Sequence, residues 1–527
     1  MKRTSTVMRG LSLVACVVWL VAFGSVALSQ PTSRSPLAPP PNGPRKSEPG
    51  DGYVALTGAT VHVKPGETIE RATVVMRGGR IESVTRESTG GEPPVPPGAE
   101  SRDCTGMHIY AGFIEPYFEV EVPRPDPGAP GSHWNSHVMP QRSALDKGAA
   151  GIPAKDAETL RSMGFVAAAI SPKGGIFRGS SALVSLASIS GDPSDASPRV
   201  YADHVYQCVS LETSREDEDG RPIRGMPRPT EDAHWTRYPD SQMGAIALVR
   251  QTLSDADWLM SRENDAAPSA DTLEAARVSR GDPMLGALHP LERAKNGHLL
   301  FDADDELEVL REAKIADEFQ RRAIILGSGL EFRRLEAIGR TKLPFVLPLN
   351  FPKAPKVGTI GEADAVELRE LVNWEQAPTN PRRLDAVGLT VALTTSKVPE
   401  KLGGRKAFNE HLSTAIKSGL KPERALAMLT TNAAEILGAS DQFGTVEKGK
   451  VASLIVADGE LFTDKPDAPR KGEPGYVRAG RIVDVWIDGR RHVVAPKQRR
   501  DLGGTWDVTL SPGPKAGSNV RISYEID

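Results

Sequence analysis

Residues 305–350 read DELEVLREAKIADEFQRRAIILGSGLEFRRLEAIGRTKLPFVLPLN, and their pattern decides the fold. An amphipathic helix over DELEVLREAKIADEFQ is followed by the apolar strand RAIILGSG, then by the helical EFRRLEAIGR and a second apolar strand, PFVLPLN. Strands without a polar face, joined by amphipathic helices, belong in a parallel sheet covered by those helices. The alternation extends outward in both directions. Upstream, AKDAETLRSM (154–163) reads as a helix closed by Gly164, and FVAAAI (165–170) as a buried strand. SQMGAIALVRQTLSDADWLM (241–260) has apolar residues at helical spacing after a serine cap, and GLTVALTT (388–395) supplies a further apolar strand. A run of this length suits a closed (β/α)8 TIM-type barrel, with an open doubly wound sheet as the structural competitor.

The chain changes character on either side of this middle. VALTGATVHV (54–63), IERATVVM (69–76) and IESV (81–84), with the turn Arg77-Gly78-Gly79-Arg80, read as short antiparallel strands. VASLIVAD (451–458) and YVRAGRIVDVWIDGRRHVV (476–494) repeat that character, with hairpin turns expected at Ala479-Gly480 and Asp488-Gly489. Strand blocks at both ends predict one small β-sandwich domain, built from residues 52–104 and 439–497 around a barrel at 105–438. Two alternating stretches in 498–527 predict a terminal hairpin or tail.

The first residues, MKRTSTVMRG, are basic and LSLVACVVWLVAFGSVAL is apolar, ending at the small-residue site Ala27-Leu28-Ser29. Residues 1–29 therefore read as a signal peptide of an exported, periplasmic or extracellular protein, with a retained membrane anchor as the alternative. The Pro- and Ser-rich residues 30–51 read as a linker. With 65 basic against 68 acidic residues, the net charge of −3 carries no footprint for nucleic acid. Once a signal is removed, Cys104 and Cys208 remain; their spacing does not support a disulfide, and without a CxxC pair there is no thiolate zinc site. The charged, Pro-rich stretch 211–240 reads as a surface insertion, either a lid or a solvated face.

Two segments carry a family resemblance. DCTGMHIYAGFIE (103–115) resembles the lead into the first barrel strand of the amidohydrolase superfamily. LTTNAAEILGASDQFGTVEKGKVASLIVADG (429–459) is similar to that family's closing helix and return to the β domain, with Thr431, Asn432, Ala433, Ala434, Leu437, Gly438, Gly444, Gly449, Lys450, Ala452 and Leu454 in place. The imidazolonepropionase-like branch is the nearest in character. The resemblance implies hydrolysis of carbon-nitrogen bonds other than peptide bonds, by hydroxide held on one or two divalent metals. It also implies a His-x-His pair on the first strand, two further histidines and an aspartate ending the last strand.

Those residues are missing here. Where the family has Asp-x-His-x-His, this chain reads Glu115-Pro116-Tyr117-Phe118-Glu119, so strand alternation puts Tyr117 and Glu119 at the inward imidazole positions. VALTTSK places Ser396 at the aspartate, and a hydroxyl has no pKa suited to acting as base for metal-bound water. HLLFDADD offers His298 too early and Asp302 in place of a histidine. Other metal donors are Glu115, Glu119 and Glu121 with Asp302, a set suited to hard ions, and His133 with His137, whose spacing could clamp a metal on a helix. Against these stand acids paired with arginines and a loop flanked by Gly131 and Pro140. His108 reads as a packed or hydrogen-bonded residue. KGGIFRGSS (173–181) reads as a loop carrying Arg178 toward the barrel mouth, and LPLNFPKAP (347–355) places Asn350 and Lys353 near it.

Two functions follow. One is an amidohydrolase-like scaffold without catalysis or cofactor, binding a small molecule in the barrel mouth or partnering another copy or an active homologue. The other is an active amidohydrolase with a rebuilt carboxylate site holding zinc, iron or manganese.

Overall fold

Eight strands from both ends of the chain form one sheet: Tyr53–Lys64 (β1), Glu67–Arg77 (β2), Arg80–Arg86 (β3), Glu100–Asp103 (β4), His108–Ala111 (β5), and, after the long middle, Leu454–Ala457, Ile482–Ile487 and Arg490–Val493. The computed structural model describes residues 52–87, 94–126, 132–187, 199–211, 238–239, 241–265, 286–288, 298–462, 480–495, 504–510 and 520–526. The expected signal peptide, the linker and nearly all of the 211–240 insertion lie outside the described residues. The sheet has its own apolar core, including Leu56, Val61, Val74, Met76, Ile81, Leu454 and Trp486. Each such side chain taken from water contributes about 1.5–3 kcal/mol. Two of the expected turns match their glycine pairs: Gly78 and Gly79 both have positive φ, and so do Asp488 and Gly489, as a two-residue hairpin turn requires, while Ala479 of the third lies outside the described residues.

The turn at Asp488 also fastens this sheet to the middle of the chain. Its carboxylate accepts from the hydroxyls of Ser185 (2.9 Å) and Tyr201 (2.8 Å) and from Arg199 (2.9 Å).

The middle of the chain contributes Phe113–Val120 (β6), Phe165–Pro172 (β7), Phe177–Ser180 (β8), Ala182–Ser185 (β9), Val200–Ala202 (β10), Tyr206–Ser210 (β11), His298–Asp302 (β12), Arg322–Leu326 (β13), Phe345–Pro348 (β14) and Val391–Thr394 (β15). β6 and β7 are parallel, as are β11 through β15 in succession, and β15 lies back against β6. Helices at Ala154–Ser162, Gln242–Asp265, Glu306–Glu318 and Leu335–Thr341 fall where the sequence pattern predicts them. Asp305 caps the third of these, its side chain accepting from the N–H groups of Leu307 and Glu308. This is the TIM-type α/β architecture, with one departure.

β8 and β9 run antiparallel to their neighbours: β9 pairs with β7 and β8 pairs with β11, so residues 177–185 fill the gap between two parallel strands. The expected loop at KGGIFRGSS is therefore a strand from Phe177 onward, with Phe177 fully buried. Gly179 makes the passage possible, because a Cβ there would meet the Arg142 carbonyl oxygen at 2.5 Å. The C-terminal stretch pairs as an antiparallel hairpin, Gly504–Leu510 with Val520–Ile526.

His108 is a packed residue, as the sequence suggests. Its Nδ1 lies 3.0 Å from His62 Nε2, and the His62 ring stacks on Tyr110 at 4.1 Å. Burial, with the charge of His108 adding to it, pushes the His62 pKa down to about 4. The unfolded chain, titrating near the ordinary value of 6.5, then binds more protons than the folded chain between about pH 4 and 6.5. Stability is therefore expected to fall as pH drops through that window. His62→Gln should reduce the accompanying decline in Tm relative to wild type; parallel Tm curves for the two proteins would refute the assignment.

Candidate functional site

The first barrel strand is irregular at residues 115–118. Glu115 faces Ala168 on β7 but Phe118 faces Ile170, so Pro116 and Tyr117 form a bulge. Proline brings no N–H to the ladder, and its free carbonyl is taken by the Tyr206 hydroxyl at 2.8 Å. The Tyr117 carbonyl accepts from the hydroxyl of Ser396 (2.7 Å). Ser396 thus spends its hydroxyl on stitching β15 to β6.

Glu115 is fully buried at the same seam. One carboxylate oxygen accepts from the Thr394 hydroxyl and from Tyr117 N–H (3.3 Å), the other from Thr395 N–H (2.9 Å) and the Thr395 hydroxyl (2.6 Å). Burial raises its pKa, and Arg405 with these donors opposes the rise without cancelling it. Arg405 itself bonds the Thr395 hydroxyl and stacks over Phe118, its guanidinium carbon 4.4 Å from the ring centroid.

Above Glu115, Tyr117, Glu119 and Asp302 converge on a guanidinium. Nη1 of Arg178 stands 2.9 Å from the Tyr117 hydroxyl, 3.1 Å from the Glu119 carboxylate and 2.8 Å from Oδ2 of Asp302. Tyr117 in turn donates its proton to Glu119 at 2.7 Å. Asp302 ends β12, and its other oxygen accepts from Nζ of Lys397 at 2.5 Å; that ammonium also bonds the Ala303 carbonyl at 2.9 Å. Lys397 holds φ +57, a left-handed turn directly after Ser396 that brings its side chain back over the barrel. Two cations and two carboxylates therefore neutralise one another, with the Arg178 side chain only 5% exposed and that of Asp302 only 10%.

The titration directions agree with this closed arrangement. Burial works to raise Asp302, but Lys397 and Arg178 outweigh it and hold the carboxyl below its ordinary range. Burial works to lower Lys397, and Asp302 with Asp304 outweighs it. Tyr117 is pushed up by burial and by Glu119, so it remains a phenol that donates rather than a nucleophile. Cys208, on β11 beside this cluster, is pushed up to about 12 by burial and stays a thiol. Both Cys104 and Cys208 are buried.

The residues present do not suit a divalent metal at this point. Glu119 and Asp302 are hard oxygen donors, but their acceptor sites face Arg178 and Lys397, and a dication would enter against two fixed positive charges. Among the described residues, no group of three or more His, Cys, Asp or Glu is arranged to hold a metal ion. Glu121, also raised as a donor, lies near Lys173 instead (3.8 Å). The helical clamp proposed for His133 and His137 does not form: both lie in irregular turns, with His133 Nδ1 accepting from Asn135 N–H at 3.1 Å.

Arg178 was visible in the sequence, but as a loop residue; the antiparallel strand makes it the centre of the site. Lys397 and Arg405 gave no sequence signal beyond following the last strand. Near the mouth, Asn350 donates to the Ser328 carbonyl at 2.7 Å, while Lys353 lines a cleft with Phe351.

Comparison with known proteins is consistent with this frame. The amidohydrolase family profile matches residues 370–491. An imidazolonepropionase from Thermoplasma volcanium is 35% identical over 79 residues, which is 15% of this chain and 19% of that enzyme. The match thus spans about a fifth of that curated relative. An amidohydrolase from Thermotoga maritima superposes with a TM-score of 0.58 at 20% identity, over 83% of this chain and 99% of the other.

Proposed function

We propose that the chain is a member of the amidohydrolase superfamily that keeps the hydrolase barrel while having given up metal-dependent hydrolysis, and serves as a binding protein or partner subunit. The observation that carries this reading is the Arg178 guanidinium at the point where positions 117, 119 and 302 converge. A permanent organic cation there does the charge-balancing work of a metal but cannot ionise water, because a guanidinium is a donor without a coordination site. The proton-shuttle position supports the same reading, since Ser396 is held by a backbone carbonyl.

Metal analysis of the protein purified without chelator tests the proposal. Zinc, iron and manganese are expected well below one equivalent, with Tm unchanged by EDTA. Stoichiometric metal together with carbon-nitrogen bond hydrolysis lost on chelation would establish the rival reading, a rebuilt carboxylate site in which Glu119 and Asp302 release Arg178.

A further inference from the structure

A cleft of about 530 Å3 opens between the segment that follows β14 and the segment that follows β15. Its walls combine two kinds of chemistry. Lys353 and Lys406 bring ammonium groups from opposite segments, and neither has an ion-pair partner among the described residues. Glu410 is the acid on the lining. Phe351 and Trp374 supply aromatic surface, and Trp374 remains 43% exposed. His411 completes the lining. Its Nδ1 bonds the Leu349 carbonyl, which can only accept, so Nδ1 carries a proton and Nε2 is left as the ring's second polar atom.

From these features we infer that the cleft is a binding site for a small aromatic anion, one carboxylate or phosphate group on a planar ring. The anion lies between Lys353 and Lys406, and the ring packs against Trp374. The loops after the last two strands of such barrels form anion sites in many unrelated proteins, because they gather side chains from two adjacent segments at one rim. Here the two ammonium groups outnumber the carboxylate, so the cleft attracts negative charge, while the indole gives a ring an apolar surface that bulk water does not. Arg405, bonded to Thr395, anchors the segment that carries Lys406 and His411, so one wall is preformed. The inference holds whether or not the barrel hydrolyses anything.

Titration calorimetry of the full chain at low ionic strength with phenyl phosphate, phenylacetate, inorganic phosphate and benzyl alcohol tests it. At least one of the two aryl anions is expected to bind with Kd below about 1 mM, at least tenfold tighter than inorganic phosphate or benzyl alcohol, and to weaken as salt rises. The pair Lys353→Ala with Lys406→Ala should weaken that binding at least tenfold. Trp374→Ala should do the same for the aryl anion and leave inorganic phosphate unchanged. All three side chains are at the surface, so unchanged Tm values will show that the variants fold. Failure of both aryl anions to bind, binding of benzyl alcohol equal to theirs, or affinity that survives the double lysine variant would each overturn the assignment.

Discussion

Arg178→Met is expected to destabilise the protein by about 3–5 kcal/mol, read as a fall in the urea midpoint with the slope of the transition unchanged. The guanidinium is 5% exposed and serves Tyr117, Glu119 and Asp302 from one nitrogen. Removing it leaves Asp302, at 10% exposure, with Lys397 alone, and leaves Glu119 with only the Tyr117 phenol. The cost comes chiefly from stranded negative charge in a low-dielectric barrel, not from the lost contact as such. Two companion variants separate these effects. Arg178→Lys keeps the charge on a shorter stem and should cost about half as much. Adding Glu119→Gln alone to Arg178→Met removes the stranded charge, leaving Asp302 balanced by Lys397, and should recover a large part of the loss. A destabilisation below about 1 kcal/mol for Arg178→Met would mean that the cluster is solvated like a surface ion pair, and the proposed replacement of metal by guanidinium would fail with it.

The second large effect is expected at Glu115, where alanine should cost about 3–4 kcal/mol, with several buried donors losing their acceptor at once. The two threonine hydroxyls, Thr395 N–H and Tyr117 N–H all point at this carboxylate, and Arg405 lies close by. Because these bonds join β15 to β6, the loss should appear first at that seam. Amide hydrogen exchange at Thr395 and Ser396 is expected to accelerate far more than at β12 and β13. Uniform acceleration across the barrel, with no local excess, would show that Glu115 is merely one core residue among many. Glu115→Gln should fall between wild type and alanine, since its amide keeps one acceptor but turns a donor toward donors.

The order of helices and strands was legible because core-facing periodicity is a local property. DELEVLREAKIADEFQ can bury only one stripe and RAIILGSG only a whole strand, wherever they end up in space. The glycine-pair turns were legible for a similar reason: positive φ is a constraint on two residues. The placing of Tyr117 and Glu119 together was legible too, because strand alternation assigns them to one face without any tertiary information.

The charge cluster around Arg178 was not legible. Arg178 reaches the site only because residues 177–185 run antiparallel between two parallel strands, a choice made by pairing partners distant in the chain. Lys397 reaches it only through a left-handed turn, and Asp302 meets both only when β12 takes its place in the barrel. Sequence by itself determined the alternating barrel pattern and the side chains that stand at positions 117, 119 and 396, since both follow from residue type and short-range spacing. The tertiary structure alone decided that Glu119 and Asp302 would close around a guanidinium and an ammonium, because charge pairing depends on separations of a few ångströms between residues that lie between about sixty and one hundred and twenty-five positions apart along the chain.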